Sequence, residues 1–144
     1  MSPQKLRLVI AEGTPRIIEE VRGAVRAEPY LRTYHAQTDN ELLNRFLDVS
    51  QNLNQWLEVK NDELLRNRYR ELARQRLRQE VPLSEVVLAA QTFERVLIDH
   101  LRKRTSEEQP AVGYETEALV REFFNQVVFS MAVAYEIRLL RALI

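Results

Sequence analysis

The hydrophobic pattern of the chain is strongest over residues 81–101, VPLSEVVLAAQTFERVLIDHL. On a helical wheel at about 100° per residue, its apolar side chains form one arc that covers more than half of the circumference. The members of this arc are Leu83, Val86, Val87, Ala89, Ala90, Phe93, Val96, Leu97, Ile98 and Leu101. An arc of that width predicts a central helix that has neighbours on two sides. Glu94 falls inside the arc, where a carboxylate must be paired, protonated or turned toward a cavity.

Two Ser/Thr-Pro pairs predict where the first helices begin, because a capping residue followed by proline suits the first helical turn. The first pair begins at Ser2 and the second at Thr14. We expect the first helix to stop near Gly13. We expect the second to stop before Pro29, since the residue preceding a proline is pushed out of the α region. Residues 28–37 are then predicted to form a loop that contains aromatic side chains.

A third helix is predicted from the capping-box pattern of Thr38 and Glu41. Residues 61–62, Asn-Asp, either restart the helix or are crossed without a break. The next helix, predicted over residues 62–79, is the most basic segment, and some of its arginines are spaced four apart and so form one stripe. These are Arg66, Arg70, Arg74 and Arg78. The stripe is either a solvated helix face or a site for an acidic partner or an anion, because guanidinium groups suit carboxylates and phosphates.

Pro82 separates the basic helix from the central helix, which predicts an antiparallel helical hairpin. In a hairpin that turns near Val81, Glu94 lies level with Arg68, with Tyr69 beside it. We therefore expect Glu94 to be mostly buried and to accept a hydrogen bond from Arg68 or Tyr69, or to line a small pocket beside them. The alternative is that Glu94 reaches solvent at the helix edge. A buried acid–base pair stabilises little, so these residues are candidates for a switchable contact.

A polar linker is predicted over residues 103–113, followed by a last helix from about Glu115 to the end of the sequence. Apolar residues occur almost all round this helix, and Phe129 and Val133 lie on its more polar side. Exposed apolar side chains on a helix that is already packed on its other face most often meet a partner. The pattern predicts a homodimer interface at Phe129 and Val133. The alternative is a contact with another helix of the same monomer.

The length favours one domain over residues 1–144, which we expect to be soluble and cytoplasmic. The helical patterns described above favour an all-α fold with about five or six helices. The 21 basic and 21 acidic side chains cancel, so nothing in the net charge attracts nucleic acid or an anionic membrane. The longest uncharged run covers residues 123–135, which is shorter than the ~20 residues that cross a bilayer. We expect neither nucleic acid nor a membrane as a partner.

The residues that could carry chemistry are few. The chain has no cysteine, which excludes disulfides, thiolate nucleophiles and Cys-bound zinc. It also has no phosphate-binding glycine loop, nucleophile elbow or HExxH pair, so we expect no enzyme and no catalytic, metal-binding or cofactor-binding residues. Asp99 and His100 are adjacent and point about 100° apart on a helix, so they cannot form a dyad. We interpret His100 and His35 as ordinary helix and loop residues, and too little chain follows His100 for a haem globin.

The run LARQRLRQEVPLSEVVLAAQTFERVLIDHL resembles the N-terminal domain of the RsbT co-antagonist (stressosome, RsbRD-like) family and of related sensor histidine kinases. The matching residues are Pro82, Leu83, Glu85, Val86, Val87 and Ala90. The later run LVREFFNQVVFSMAVAYE is similar to the closing helix of that family, with Phe123 and Phe124 as its paired aromatics and with Tyr135. The sequence departs from the family pattern at Glu80, where a glycine is usual before Val-Pro.

The resemblance implies an all-helical, non-enzymatic, dimeric input module of globin-like or helical-bundle type, without haem. Such a module passes a signal through helix packing to an output domain or a partner protein, and it has no catalytic residues to carry over. Separately from the resemblance, the switchable contact expected at Glu94 would couple an input near Tyr30, Tyr34 and His35 to the last helix. The alternative function is a stand-alone helical protein that binds an acidic partner or an anion through the arginine stripe.

Overall fold

The computed structural model is built of α-helices alone over the residues that it describes, which are 2–108 and 110–143, with side chains for 2–104 and 113–143. The helices are α1 (Pro3–Ala27), α2 (Arg32–His35), α3 (Asp39–Val59), α4 (Asp62–Arg78), α5 (Leu83–Glu108) and α6 (Pro110–Leu143). This architecture confirms the predicted all-α class and the predicted number of helices.

Local sequence signals account for several helix ends. The side chains of Ser2, Thr38 and Asn61 each accept a hydrogen bond from the backbone N–H three residues further on, at 3.1, 3.2 and 3.1 Å. Lys60 has a φ of 55°, in the left-handed region, so α3 ends there and α4 begins anew. The Asn-Asp pair at residues 61–62 therefore restarts the helix.

The chain leaves α4 through a Schellman motif, in which Glu80 has a φ of 59°. The N–H of Glu80 donates to the Leu77 carbonyl at 3.0 Å, and the N–H of Val81 donates to the Arg76 carbonyl at 3.0 Å. Glycine is the usual residue in this left-handed position because it has no Cβ. The departure from the family pattern thus falls on a backbone conformation that favours glycine.

The predicted break near Gly13 is wrong, because α1 runs through Pro15 without interruption. Gly13 instead allows a close approach to α5, since a Cβ on this residue would lie 2.3 Å from Nε2 of His100. The Thr14 hydroxyl does not cap a new helix but donates to the carbonyl of Ile10 at 2.8 Å. This glycine therefore serves packing between helices and not helix termination.

Two segments predicted to be irregular contain helix. The predicted loop over residues 28–37 contains α2, and the predicted linker over residues 103–113 is wrong at both ends, because α5 continues to Glu108 and α6 begins at Pro110. Charged residues such as Glu, Lys and Arg are good helix formers, so a polar stretch of this composition is compatible with a helix. The polarity of this segment therefore did not indicate a loss of helix, and residue 109 lies outside the described residues.

The bundle is organised around α6, which packs against both α4 and α5, while α1 packs against α5 and α3. The central position predicted for α5 agrees with this packing on two sides. Phe123 of α6 lies at the centre of an aromatic cluster, with ring centroids 6.0 Å from Trp56, 6.1 Å from Tyr69 and 5.2 Å from Phe124. The predicted α4–α5 hairpin is wrong, because α4 packs on α6.

The last turns of α6 extend beyond the core. Tyr135 is buried, whereas all the described residues after it, 136–143, are exposed. At a rise of about 1.5 Å per residue this projecting end is about 12 Å long. It carries exposed apolar side chains, among them Leu140 and Leu143, which are 55% and 76% exposed.

Candidate functional site

Two of the residues that carry the family resemblance, Glu85 and Tyr135, belong to a largely buried polar junction between α2, the segment that begins α5, and α6. Glu85 is 6% exposed, and its two carboxylate oxygens accept hydrogen bonds from the N–H of Thr33 at 2.7 Å and from the Thr33 hydroxyl at 2.9 Å. Four residues earlier, the carbonyl of Val81 accepts a hydrogen bond from the Tyr135 hydroxyl at 2.8 Å. Burial raises the pKa of Tyr135 to about 12, so its hydroxyl remains a donor at neutral pH. We call Thr33, Val81, Glu85 and Tyr135 the junction.

Glu94 is largely buried, as predicted, but its partner is on α6. Its Oε1 lies 3.8 Å from Nη1 of Arg121, and 17% of the Glu94 side chain is exposed. Burial raises the pKa of Glu94, and the nearby Arg121 guanidinium opposes that shift. The predicted contact with Arg68 or Tyr69 is wrong, because α4 does not pack beside α5. A switchable contact at Glu94 stays a prediction, now with Arg121 as the partner.

Arg68 and Tyr69 meet at Asn52 of α3. The Asn52 amide donates to the Tyr69 hydroxyl at 3.2 Å, and its Oδ1 accepts a hydrogen bond from Nη1 of Arg68. Tyr69 is buried, which raises the pKa of its hydroxyl, and its ring packs edge-on against Phe123. These contacts join α3 to α4, with Tyr69 buried and Arg68 exposed, so both residues have a structural role that does not involve Glu94.

A groove of about 390 Å³ lies between α4 and the end of α6. Its lining residues are Arg70, Arg74 and Arg78 of α4, Arg138 and Arg141 of α6, and the apolar Leu77, Ala134 and Ile137. We call it the arginine groove. Arg66, the remaining member of the predicted stripe, is exposed and lines a separate pocket with Arg121 and Phe129. The stripe is therefore divided, and three of its four arginines share one site.

Arg138 and Arg141 were not among the residues predicted to form a site. Their spacing of three residues places them on neighbouring positions of one helix face, and this was the available signal. The sequence did not indicate that this face would lie beside α4. The only carboxylate in an ion pair with the arginines of the groove, among the described residues, is that of Glu71, which lies 3.0 Å from Arg74 and 3.8 Å from Arg78.

A smaller pocket of about 80 Å³ opens between the helices of the bundle and is lined by residues of α2 to α6. Its buried walls include Phe93, Phe124 and Met131, and its partly exposed residues include Arg45 and Arg76. The Arg45 guanidinium lies 5.3 Å from the centre of the Tyr34 ring. Burial lowers the pKa of Arg45, and the positive charge of Arg76 lowers it further. Burial raises the pKa of the Tyr34 hydroxyl. We call this space the central cavity.

The predicted input residues are not grouped together. Tyr34 lines the central cavity, whereas Tyr30 is 75% exposed and is not among the residues that line it. The Nε2 atom of His35 lies 2.8 Å from the carbonyl oxygen of Val25, and this hydrogen bond joins α2 to the end of α1. Tyr34 is thus the member of the predicted group that reaches the core beside α5 and α6.

Phe129 and Val133 lie on the side of α6 that faces away from the core, where Phe129 is 62% exposed and Val133 is partly buried. At about 100° per residue, several apolar residues fall within about 40° of Phe129. They are Val133, Leu140 and Leu143. With Phe129 they define the outward face of α6. The α6 residues of the arginine groove lie about 80–180° from Phe129, on a different side of the helix.

The described residues offer no evident site for a metal, since no group of three or more His, Cys, Asp or Glu side chains among them could hold an ion. His100 is buried, and burial lowers the pKa of its ring, which lies against Gly13. Within the part of the chain that the structure describes, no helix is both long enough and apolar enough to span a membrane.

The family model of the RsbT co-antagonist protein rsbRD N-terminal domain matches residues 12–142, a range that contains the junction and all the arginines of the groove. No curated protein and no solved structure matches the chain. The family match confirms the resemblance that was read from the Pro82–Ala90 segment and from the closing helix. The chain therefore belongs to the family of RsbT co-antagonist protein rsbRD N-terminal domains, which are regulatory domains associated with the stressosome.

Proposed function

We propose that this domain is a non-enzymatic, cytoplasmic input module that forms a homodimer and passes a signal through helix packing to a partner protein or an output domain. The observation that carries the proposal is the position of the junction. Tyr135 is the last buried residue of α6, and its hydroxyl is bound to the carbonyl of Val81 just before the helix leaves the core. A change in the packing of α2 or α5 would therefore reach the projecting end directly.

The route runs through buried polar contacts. Thr33 of α2 binds Glu85, and Glu85 lies four residues after Val81, whose carbonyl binds Tyr135. Buried hydrogen bonds are costly to leave unmade, so α2, α5 and α6 favour moving together. The central cavity offers an entry point for an input, because Tyr34 of α2 and Met131 of α6 both line it.

The outward face of α6 supports a dimer. Its residues Phe129, Val133, Leu140 and Leu143, with Glu136 between them, have spacings of four, three, four and three residues. A spacing of this kind is typical of two helices that pack along a seam. The exposed apolar area continues from the bundle into the projecting end, so a dimer would hold the two projecting ends side by side.

The dimer is tested by the variant Phe129→Glu, which places a charge at the start of the seam. We expect a folded monomer in sedimentation experiments, because burying two unpaired carboxylates at the interface is costly. Leu8→Glu is the matched control, since Leu8 is 58% exposed and lies on α1, away from the proposed seam. A Phe129→Glu protein that remains dimeric at the same concentrations would contradict the proposed interface.

A further inference from the structure

The arginine groove combines charged surface and apolar surface, and a single ligand could contact both. Five guanidinium groups surround it, and Leu77, Ala134 and Ile137 contribute apolar surface between them. Guanidinium groups recognise carboxylates and phosphates through paired N–H donors. Apolar surface adds affinity only for a ligand that itself has an apolar group.

The charge of the groove is incompletely balanced. Glu71 pairs with Arg74 and Arg78, while Arg70 donates a hydrogen bond to the neutral amide of Asn67 at 3.2 Å. None of the ion pairs between described residues includes Arg138 or Arg141. The Arg74 and Arg78 side chains are 56% and 65% exposed, and ion pairs this exposed stabilise little, so a ligand carboxylate can replace Glu71 at small cost.

We propose that the arginine groove binds an extended acidic segment of a partner protein, with an apolar side chain of that segment against Leu77 and Ile137. Arg70 and Arg78 are eight residues apart, which is about 12 Å along α4. An extended peptide covers this length with about four residues. Because successive side chains of an extended peptide point in opposite directions, carboxylates at alternate positions would face the arginines of α4, and the apolar residue between them would face α6, where Ile137 lies.

The groove is less suited to nucleic acid. None of its lining residues is aromatic, so bases would have no side chains on which to stack. The whole chain also has a formal net charge of zero, and sequence-independent binding to a phosphate backbone depends on an excess of positive charge. A free phosphate ion would leave the apolar residues of the groove unused.

The bound segment would act on the projecting end. Ile137, Arg138 and Arg141 belong to the exposed turns of α6, whereas Arg70, Arg74 and Arg78 belong to a helix that packs on the core. A ligand that contacts both sets would hold the projecting end against α4. Since the outward face lies on another side of α6, the groove can be occupied whether or not the domain is a dimer, and this inference does not rest on the proposed dimer.

The test uses the 144-residue chain and fluorescence anisotropy with three probes at about 0.15 M salt, where weak surface attraction is largely screened. The probes are a labelled peptide of alternating glutamate and leucine, the same peptide with lysine in place of glutamate, and a labelled single-stranded oligonucleotide. Inorganic phosphate serves as a competitor. We expect the acidic peptide to bind and the lysine peptide and the oligonucleotide not to bind.

Variants then locate the site. We expect Arg74→Glu and Arg138→Glu each to weaken binding of the acidic peptide at least tenfold, and Ile137→Ser to weaken it several-fold. Arg66→Glu is the matched control, because it makes the same charge change in the same stripe of α4 but outside the groove, and it should change binding less than twofold. The combined variant Arg70→Glu and Arg74→Glu should abolish binding. All these variants change exposed or partly exposed residues, so their melting temperatures should stay close to that of the original chain.

Several results would overturn the proposal. Equal losses in Arg66→Glu and Arg74→Glu would indicate a general charge effect. Binding that is insensitive to Ile137→Ser but is displaced by millimolar phosphate would indicate an anion site only. Tighter binding of the oligonucleotide would indicate a nucleic-acid surface, and no binding of the acidic peptide would remove the site. If Arg74→Glu fails to fold, Arg74→Gln provides the same comparison with a smaller change.

Discussion

Glu80 adopts a backbone conformation that is more favourable for glycine. Its φ of 59° is required by the two hydrogen bonds of the Schellman motif, which fix the direction in which the chain leaves α4. For a residue with a Cβ, the left-handed region costs roughly 1–2 kcal/mol. Glu80 is exposed, so its side chain is not needed to fill the core. The protein therefore stores a small strain directly before the junction.

The variant Glu80→Gly should raise the free energy of unfolding by about 0.5–1 kcal/mol, because relief of the strain exceeds the greater flexibility of glycine in the unfolded chain. A change of this size corresponds to an increase in melting temperature of about 2–4 °C for a domain of this length. Thermal and urea denaturation both measure it. Glu80→Ala keeps the Cβ and should give no such gain, and equal stability of the two variants would show that the strain is absent.

At the scale of elements, α1 contains two glycines, of which one is crowded by a neighbouring helix and the other has open space beside it. A Cβ on Gly13 would meet the His100 ring at 2.3 Å, whereas a Cβ on Gly23 would have nothing within 4 Å. Glycine inside a helix costs about 0.5–1 kcal/mol relative to alanine. Gly23 therefore lowers the stability of α1 although its surroundings have room for a side chain. At Gly13 the same loss of stability allows α1 and α5 to approach closely.

We expect Gly23→Ala to stabilise the protein by about 0.5–1 kcal/mol and Gly13→Ala to destabilise it by about 1–3 kcal/mol, since overpacking outweighs helix propensity. The two variants are matched controls for each other, because they make the same change in the same helix. Denaturation curves of both proteins give the difference. If Gly13→Ala is as stable as Gly23→Ala, the His100 ring has room to move, and α1 does not depend on this glycine for its contact with α5.

The individual helices were predictable from local sequence signals, whereas the way in which they pack together was not. The arc around Glu94 and the capping pattern at Thr38 are local signals, and both led to correct helices. The partner of Glu94 was not predictable, because it depends on which helices pack together after the chain turns at Pro82. Because α4 packs against α6 and not against α5, the partner of Glu94 is Arg121 and not Arg68. The same packing of α4 on α6 forms the arginine groove.

In the molecule as a whole, the junction lies where α6 leaves the core, and the projecting end extends from there to the surfaces proposed for partners. The core holds α6 by apolar packing up to Tyr135, and the hydroxyl of Tyr135 makes the last buried polar contact of that helix among the described residues. The proposed dimer seam and the arginine groove both lie partly beyond this point. We propose that the contact between Tyr135 and Val81 is one place where a change in the core passes to the projecting end.

The variant Tyr135→Phe should lower the free energy of unfolding by about 1–3 kcal/mol, because it leaves the Val81 carbonyl buried without its donor. In hydrogen–deuterium exchange, we also expect faster exchange at the start of α5 and in residues 136–143, since both ends lose their common contact. Tyr30→Phe is the control: its hydroxyl belongs to a residue that is 75% exposed, and neither quantity should change. If Tyr135→Phe lowers stability but leaves exchange in residues 136–143 unchanged, the contact only stabilises the core, and the proposed transmission along α6 has to take another route.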